Sequence, residues 1–494
     1  MDVIDVIVIG GGNAALCAAL AAAEHGARVL LLERAPLEAR GGNSAVTAGA
    51  LRFPYGGVED LSRIVKDPAL TQAGKVDVGR YSEDDFLGDL QRVTHGQTDP
   101  ALGRALASQA FPTMGWLSRQ GVEFVLAYDR QSFLVGETYR FWGGLAVKVR
   151  GEGPGLIAAL YRAAQAADVA VMYESRATAL AWDAAAREWR VGVSTGTRAL
   201  EHRARSVVLA CGGFEANPEM RAAHLGPKWR GVKVRGTPHN TGDGIKMGLG
   251  VGARPFGQWS GAHAVAWDIN APAANDRRAV QHFERDSYPL GMYVNIHGER
   301  FVDEGEDFRN YTYARFGREI MRQPQRVAFQ IFDQKTVRLL KKPYTLTGTT
   351  RIQANTLDEL ARAAGLEGRT FARTVAEFNA AVGDRPFNPA IRDGKAAAAL
   401  RLPKSNWAQR LDSPPYVCFP VTCGITFTFG GLRVGADASV AGADDRRIGG
   451  LFACGELVGG LFYDNYPGGT GLMAGAVFGR LAGTGAAAHA GRSG

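Results

Sequence analysis

Two short apolar runs and an alanine-rich stretch dominate the first part of the chain. The runs Val6–Ile9 and Arg28–Leu32 have the length and composition of strands that are buried on both faces of a parallel sheet. Between them, three consecutive glycines precede an alanine-rich segment from about Asn13 to His25, which predicts a helix that Gly26 ends. The pattern therefore predicts a strand–helix–strand unit with both strands in one sheet.

The glycines of this unit match the G-x-G-x-x-A form of the dinucleotide fingerprint, with Gly10, Gly12 and Ala15 at its three positions. Gly10 permits a tight turn, Gly12 lets a pyrophosphate approach the backbone, and Ala15 lets the helix pack closely on the strand. Glu33, about twenty residues beyond the glycines, is placed to accept hydrogen bonds from a ribose. The unit predicts a dinucleotide site; the alternative is a glycine-rich turn that binds nothing.

Apolar and amphipathic segments alternate along the rest of the chain. They predict helices at Ala101–Gln120, Gly155–Ala167 and within 356–383, and strands at Val169–Glu174, Trp189–Ser194, Arg198–Val208 and Met292–Asn295. Thr356 is placed to cap the first helix of the pair in 356–383, and Asp243 is placed to cap a helix after Thr241-Gly242.

Glycine-rich segments stop at about Phe256 and resume at about residue 415, and the residues between are richer in aromatic, Arg and Asp side chains. We interpret this change as an α+β capping domain inserted into an α/β, Rossmann-like domain. The predicted division is 1–255 and 414–494 for the dinucleotide-binding domain and 256–413 for the cap, with the return marked by Pro415–Phe429.

Composition and charge argue against some classes of protein for this chain and favour others. The 494 residues carry a net charge of +8 without the basic stripe of a nucleic-acid binder, and a mild positive potential suits anionic ligands. The five cysteines form no C-x-x-C pair, so we expect no metal site or iron–sulfur cluster on this chain. No segment has the length and polarity of a membrane span, so we expect a cytoplasmic protein.

Several glycine-rich motifs share one pattern. They are Arg40-Gly41-Gly42-Asn43-Ser44, the run V-V-L-A-C-G-G at 207–213, G-L-F-A-C-G-E at 450–456 and N-Y-P-G-G-T-G-L at 465–472. With them the chain resembles the flavoprotein family of fumarate reductase and succinate dehydrogenase, which implies a glutathione-reductase-type flavin fold that binds FAD. Covalent members carry a histidine where Asn43 falls, so the resemblance implies non-covalent FAD.

The fingerprint and the resemblance together assign a set of residues to the cofactor. They are Gly10, Gly12, Asn13, Ala14, Ala15, Glu33, Arg34, Gly41, Gly42, Asn43, Ser44, Ala48, Gly49, Ala210, Gly212, Asp243, Gly455, Glu456, Gly471 and Leu472.

The cap carries the order of residues that the family uses for chemistry. His263 comes first, then Glu284, then G-E-R-F-V-D-E at 298–304, and Arg309 lies five residues beyond Glu304. The resemblance implies that Arg309 moves the substrate proton, that His263 binds substrate and that Glu284 relays protons. The alternatives are a solvated surface charge at Arg309 and a surface salt bridge at Glu284. Because an ordinary arginine has a pKa above 12, proton transfer requires a desolvated site.

Two departures from fumarate reductases concern carboxylate binding. Thr426 and Phe427 occupy the positions at which those enzymes carry a histidine pair. Tyr466 or Pro467 occupies the position at which those enzymes carry an arginine. The sequence instead resembles tricarballylate dehydrogenases, which share P-V-T-C-G-I-T-F-T-F-G-G. Tyr466 also resembles the tyrosine with which 3-ketosteroid dehydrogenases polarise a ketone.

The resemblance implies an FAD-dependent dehydrogenase of CH–CH groups. The leading reaction is α,β-desaturation of tricarballylate to cis-aconitate, with hydride transfer to flavin N5 and proton transfer to Arg309. Enoate reduction, desaturation of a cyclic ketone and a non-catalytic flavin subunit stay open. A separate iron–sulfur or membrane-bound protein is the expected electron acceptor. A patch at 139–144 is either a packed loop or part of the active-site mouth, with Arg140 facing a substrate carboxylate.

Overall fold

The computed structural model of the protein describes residues 3–274 and 282–492. Within those ranges the strands are β1 Ile4–Ile9, β2 Val29–Leu32, β3 Ala50–Leu51, β4 Val76–Asp77, β5 Phe124–Leu126, β6 Ser132–Val135, β7 Thr138–Phe141, β8 Val147–Val149, β9 Ala170–Met172, β10 Ser175–Asp183, β11 Glu188–Thr195, β12 Arg198–Leu209, β13 Lys233–Val234, β14 Pro255–Asp268, β15 Met292–Asn295, β16 Ala328–Phe332, β17 Ile352–Ala354, β18 Tyr416–Leu432, β19 Ser439–Ala441 and β20 Arg447–Ala453. The helices of the same ranges are α1 Asn13–Glu24, α2 Val58–Ser62, α3 Glu83–Val93, α4 Pro100–Arg119, α5 Tyr128–Gln131, α6 Glu152–Ala166, α7 Pro218–His224, α8 Asp243–Gly250, α9 Arg309–Met321, α10 Gln334–Val337, α11 Leu357–Ala364, α12 Gly368–Ala381 and α13 Thr470–Arg492.

The first sheet is built around the predicted strand–helix–strand unit. Strand β1 lies between β2 and β12, and all three run parallel, with Val8 opposite Leu31 on one side and Val208 on the other. Strands β9 and β20 extend the parallel part at its two sides. Strands β10, β11 and β12 add an antiparallel meander, of which the sequence predicts β11 and β12 but not β10. The α/β, Rossmann-like fold class is confirmed.

Helices α1 and α13 pack against each other unusually closely, because small residues face small residues. A Cβ atom placed on Gly479 of α13 would lie 2.4 Å from the backbone oxygen of Ala14, and one on Gly483 would lie 2.0 Å from that of Ala18. No side chain larger than hydrogen fits at either position. The close contact ties the last helix to the first one, so both helix N-termini come to the same side of the first sheet.

The second sheet is organised by the long strand β18, which β14 and β16 flank on its two sides in antiparallel register. Almost every residue of β18 is buried, since the strand has partners along both edges and cover on both faces. The sequence assigned the segment from residue 414 onward to the dinucleotide-binding domain, but Tyr416–Leu432 pairs in the second sheet. The chain rejoins the first sheet only at β19 and β20, and the division at residue 414 stays a prediction.

The predicted helix pair forms as α11 and α12. The Oγ1 of Thr356 accepts a hydrogen bond from the N–H of Glu359 at 3.2 Å, and the Glu359 carboxylate accepts one from the N–H of Thr356 at 3.1 Å. This reciprocal capping box confirms Thr356 as the cap. Across residues 3–274 and 282–492, the search for a helix with the length and hydropathy of a membrane span finds none.

Candidate active site

A long cleft runs along the carboxyl ends of the parallel strands of the first sheet and reaches the second sheet. Its empty volume is about 1620 Å³, including the part that opens to solvent. Gly10 follows β1, Glu33 follows β2 and Gly455 follows β20, and all three line it, whereas His263 on β14 lines its other end. Ligands of open α/β sheets bind at this edge.

The glycine turn after β1 leaves no room for side chains. Gly10 has φ of +122°, and a Cβ atom there would lie 2.4 Å from the backbone oxygen of Ala210. A Cβ atom on Gly11 would lie 2.3 Å from Oε2 of Glu33. The turn therefore presents bare backbone to the cleft at the start of α1, where unpaired N–H groups and the helix dipole favour a phosphate.

Glu33 lies at the end of β2 with only 5% of its surface exposed. Its Oε1 accepts a hydrogen bond from the N–H of Ala35 at 2.8 Å. Burial raises the pKa of this carboxyl above its ordinary value, while the N–H groups of Ala35 and Gly41 oppose the rise. The carboxyl is fixed in place beside the glycine turn, where donors from a ribose would satisfy its remaining lone pairs.

Most residues that the sequence assigned to the cofactor line this cleft. They are Gly10, Gly12, Asn13, Ala14, Glu33, Arg34, Gly42, Asn43, Ser44, Ala48, Gly49, Ala210, Gly212, Asp243, Gly455, Glu456, Gly471 and Leu472. Ala15 and Gly41 are not part of the lining. Ala15 is fully buried in α1, and a Cβ atom on Gly41 would meet Ile157 at 2.8 Å, so both act through packing behind the cleft wall.

Asn43 lines the cleft with its side chain fully engaged by the protein. Its Nδ2 donates to Oε1 of Glu215 at 2.7 Å and to the backbone oxygen of Thr426 at 2.8 Å, and its Oδ1 accepts from the N–H of Thr237 at 2.8 Å. An amide nitrogen is not nucleophilic as an imidazole nitrogen is. Non-covalent binding of a cofactor is consistent with this residue.

Asp243 does not cap α8, contrary to the sequence prediction. Gly242, with φ of +80°, is the residue before the helix, and Asp243 is its first residue and makes no capping hydrogen bond. Its carboxylate instead accepts from Arg34 at 3.0 Å and from Arg176 at 2.9 Å. Burial alone would raise the pKa of Asp243, but the guanidinium of Arg176 lowers it below its ordinary value. Two charged donors outcompete backbone N–H groups for the carboxylate.

The other end of the cleft holds buried charges from distant segments. Arg309 is 7% exposed at the first residue of α9, and Glu284 is fully buried beside β14. Nη2 of Arg130 lies 2.8 Å from Oε2 of Glu284, and Nη2 of Arg235 lies 3.0 Å from Oε1 of the same carboxylate. The alternative of a surface salt bridge at Glu284 is therefore wrong, because the pair lies inside the protein.

Arg309 is held by two contacts of its own. Its Nη1 pairs with Oδ2 of the buried Asp286, and its Nη2 donates to the backbone oxygen of Arg130 at 2.7 Å. Arg130 also reaches Asp286, at 3.4 Å. The alternative of a solvated surface charge at Arg309 is excluded by this burial. Burial would raise the pKa of Glu284, but Arg130 and Arg235 lower it below its ordinary value, so this carboxyl is ionised.

His263 is buried at 1% exposure, and neither ring nitrogen has a hydrogen-bond partner in the part of the chain that the structure describes. Burial, followed by the charge of Arg235, lowers the pKa of His263 well below its ordinary value, so the imidazole is neutral. Its ring meets Tyr313 and Tyr466 edge-on, at 4.9 and 4.8 Å between ring centres. The hydroxyls of those tyrosines are 2.6 Å apart. The imidazole therefore offers an unused donor and an unused acceptor to a ligand.

Sequence reasoning missed Arg130 and Arg235, and of the two alternatives that it left open for the patch at 139–144, the structure does not support Arg140 at the active-site mouth. Arg140 lies on β7 with a half-exposed side chain 3.9 Å from Asp77, and it does not line the cleft. Arg130 and Arg235 line it, although neither belongs to a recognisable motif. No local signal could have found them, since their partner Glu284 lies 154 and 49 residues away along the chain.

Comparisons with known proteins agree with this geometry. Residues 5–472 match the family model described as FAD binding domain. A probable fumarate reductase of Shewanella frigidimarina is 30% identical over 98% of this chain and 75% of its own length. An NADH:acrylate oxidoreductase of Vibrio harveyi is 28% identical over 98% of this chain and half of its own length. The open conformation of a flavocytochrome c3 fumarate reductase is similar in structure, with a TM-score of 0.72, 26% identity and coverage of 99% of this chain and 79% of that one.

The residues of the cleft fit FAD. The N-termini of both α1 and α13 open into it, through Gly12–Ala14 and Gly469–Leu472, and each offers backbone N–H groups to an anionic or polar ligand. Glu33 lies where the ribose of a dinucleotide belongs, and the empty volume accommodates a long ligand. Among residues 3–274 and 282–492, no group of His, Cys, Asp and Glu side chains could hold a metal ion.

Proposed function

From the premise that the chain belongs to the FAD binding domain family and is an FAD-dependent oxidoreductase, we propose that it desaturates a small polycarboxylate. The proposed leading case is the conversion of tricarballylate to cis-aconitate. Enoate reduction is the same reaction in reverse, and the relatives whose names specify fumarate or acrylate run it in that direction.

One observation supports the proposal that the substrate is anionic. Three buried guanidinium groups, of Arg130, Arg235 and Arg309, meet at this end of the cleft, where Glu284 and Asp286 hold them in place. His263 beside them is neutral and has both ring nitrogens available. Guanidinium groups fixed in this way form strong, charge-assisted hydrogen bonds with a carboxylate ligand.

Two of these arginines bear on the carboxylate-binding groups of fumarate reductases that this chain lacks. Thr426 and Phe427 line the cleft without offering a positive charge, and so does Tyr466. Arg130 and Arg235 bring positive charge to this end from other segments of the chain. We propose that they replace the missing carboxylate binders and hold carboxylates at different places, which favours a substrate other than fumarate.

Bound FAD supplies the hydride acceptor for the desaturation. After passing one of its own protons to the paired carboxylate of Asp286, Arg309 is proposed to accept the proton from the carbon next to a clamped carboxylate, which acidifies that C–H bond. His263 binds a carboxylate through the ring nitrogen that carries hydrogen. Glu284 and Asp286 hold the three arginines in position, and Glu284 is the proposed proton relay. Burial of all these groups excludes water from the proton transfer.

A second candidate reaction rests on the tyrosine pair. Tyr313 and Tyr466 hydroxyls are hydrogen-bonded at 2.6 Å, and both residues line the cleft beside His263. A phenol whose proton is shared with a second phenol is a good donor to a ketone oxygen. Desaturation of a cyclic ketone, with Tyr466 as the electrophile, is therefore the alternative.

The reduced enzyme needs an electron acceptor. We propose a separate iron–sulfur or membrane-bound protein, because the described residues hold no group of side chains for a metal centre of their own.

Anaerobic mixing tests the proposal. The oxidised holoenzyme is mixed with tricarballylate, with succinate or with a cyclic ketone, and bleaching of the flavin absorbance is followed. We expect the fastest bleaching with tricarballylate. Bleaching by the ketone alone would support the second candidate, and bleaching by none of them would overturn both.

A further inference from the structure

Two carboxyl groups, a buried one of Glu215 and a partly buried one of Glu456, lie close together at the floor of the cleft, away from the charges described above. Glu215 is fully buried, and its Oε1 accepts hydrogen bonds from Nδ2 of Asn43 and from Nδ2 of Asn240, each at 2.7 Å. Oε1 of Glu456 accepts from the N–H of Thr428 at 2.8 Å. Nδ2 of Asn240 also lies 3.5 Å from Oε2 of Glu456, so one amide nitrogen reaches both carboxyls.

No cation compensates this pair within the described ranges. The basic group near Glu215 is Arg221 of α7, and its Nη1 donates to the backbone oxygen of Glu215 at 2.8 Å and not to the carboxylate. All the partners that the carboxyl oxygens do have are neutral amides, N–H groups or hydroxyls. The pair therefore differs from Glu284, which two arginines hold ionised.

The second oxygen of Glu215, Oε2, is buried and has no donor among the described residues, and Nδ2 of Asn240 brings the two carboxyls close to each other. Two adjacent carboxylates that are not paired with a cation repel each other, so ionisation of both is unfavourable, and a proton placed between them satisfies the orphaned oxygen. Burial, and then the charge of Glu456, raises the pKa of Glu215 well above its ordinary value. Burial raises the pKa of Glu456 as well.

We propose that Glu215 and Glu456 share one proton, and that the charge of this pair adjusts the reduction potential of the bound FAD. Glu456 lines the cleft, and Asn43 and Asn240 connect the cleft wall to Glu215 behind it. The inference requires bound FAD but no particular substrate, so a failure of the proposed reaction would not contradict it.

The sign follows from the charge. With one proton between them, the two groups place a single negative charge beside the cleft. Loss of that proton at high pH adds a second negative charge, which disfavours the uptake of electrons nearby. The potential should then fall more steeply with pH than flavin protonation alone requires. Removing the charge of Glu456 should raise the potential.

Spectroelectrochemical titration of the holoenzyme over a range of pH tests the proposal. Glu456→Gln should raise the potential by on the order of 30 mV, which for a two-electron couple is a tenfold change in the ratio of reduced to oxidised flavin. Glu215→Gln should leave the potential near that of the wild type at low pH and remove the extra pH dependence. Glu219→Gln, on the exposed surface of α7 and paired with Arg230, is the matched control and should change neither.

Infrared spectroscopy gives a second readout that does not depend on activity. The holoenzyme should show the C=O band of a buried protonated carboxylic acid, and Glu215→Gln should lose it. If Glu215→Gln binds no FAD, Glu215→Asp replaces it, because this variant keeps an acid group but shifts its position. The presence or absence of the band in the wild type then tests the proposal. Absence of the band in the wild type, or wild-type potentials at every pH in Glu215→Gln, would overturn the proposal.

Discussion

The two ends of the cleft bind by different means. The end at Gly10–Glu33 offers backbone N–H groups, bare glycines and one carboxyl, all contributed by a continuous stretch of chain. The end at Arg309 offers buried charged side chains that come from α5, from the residue after β13, from the segment before β15 and from α9. The first end relies on the shape of the main chain, and the second relies on side chains that meet only in the folded protein.

This difference has energetic consequences. The first backbone N–H groups of any helix lack a partner within the helix. A binding site made from them therefore requires little additional free energy. A buried ion pair is stable only while all its partners are present, because each charge has lost its hydration. Changes at the charged end should therefore reduce catalysis and stability strongly, and removal of the Glu33 carboxyl at the other end should mainly reduce cofactor affinity.

The largest effect is expected at Arg309. Arg309→Lys keeps the charge but loses the planar fork that faces Asp286 and the cleft. We expect the rate of flavin reduction by substrate to fall by on the order of 10²–10⁴. The dissociation constant of the substrate should change much less, and FAD content should not change. Anaerobic stopped-flow kinetics at saturating substrate separate these quantities.

Arg322→Lys is the matched control for that variant, since Arg322 ends the same helix with a mostly exposed side chain. A variant at Arg309 that keeps the wild-type rate but binds substrate weakly would make this arginine a clamp. Tyr466 would then be the first alternative for the base.

The next effect tests the stability of the charged end. Glu284→Gln leaves Arg130 and Arg235 buried without their shared carboxylate. We expect the free energy of unfolding to fall by about 3–5 kcal/mol. The exposed pair of Glu377 and Arg373 supplies the control, since Glu377→Gln should cost at most about 1 kcal/mol. Urea unfolding of the FAD-saturated proteins measures both, and equal losses would refute the comparison between the two ends.

A smaller effect is expected at the cofactor end. Glu33→Ala removes the buried acceptor and should weaken FAD binding by about 1–3 kcal/mol. Once saturated with FAD, the variant should reduce its flavin at the wild-type rate. Titration of the apoprotein with FAD measures the affinity, and Glu38→Ala, on the exposed surface nearby, is the control. An unchanged affinity would mean that the fingerprint was misread.

The last test concerns Lys341, which lies behind Arg309 against the rings of Phe133 and Trp142. Burial, and then the charges of Arg309 and Arg130, lower its pKa from 10.5 to about 7, although Asp286 and Asp129 oppose the shift. Below the folded pKa the amine is charged in both the folded and unfolded states, and the folded state bears the full cost. As pH rises from about 7 toward 10.5, only the unfolded state stays charged, so that cost is relieved.

Lys341→Met should therefore stabilise the protein most below pH 7, and its advantage should shrink as pH rises. Unfolding free energies at two pH values, one on each side of 7, measure this trend. Lys342→Met, at the exposed neighbouring position, should show no such pH dependence. A constant difference at both pH values would mean that Lys341 keeps an ordinary pKa.

The sequence by itself determined the parts of the molecule that depend on neighbouring residues. The strand–helix–strand unit, the strand Met292–Asn295 and the cap at Thr356 were all predicted, because period, glycine placement and capping act over a few residues. The cofactor end follows from the same local rules. Its lining includes nearly every residue that the fingerprint and the resemblance assigned to it.

Only the tertiary structure decided which charges share the other end. Arg130 and Arg235 lie at the cleft and Arg140 does not, although their local sequences do not distinguish them. Asp243 does not cap α8, because Arg34 and Arg176 come close in space and bind its carboxylate. Residues 416–432 joined the second sheet because strands far away in sequence complete both its edges. Each of these outcomes depends on partners that are distant along the chain, and burial makes those long-range pairings obligatory.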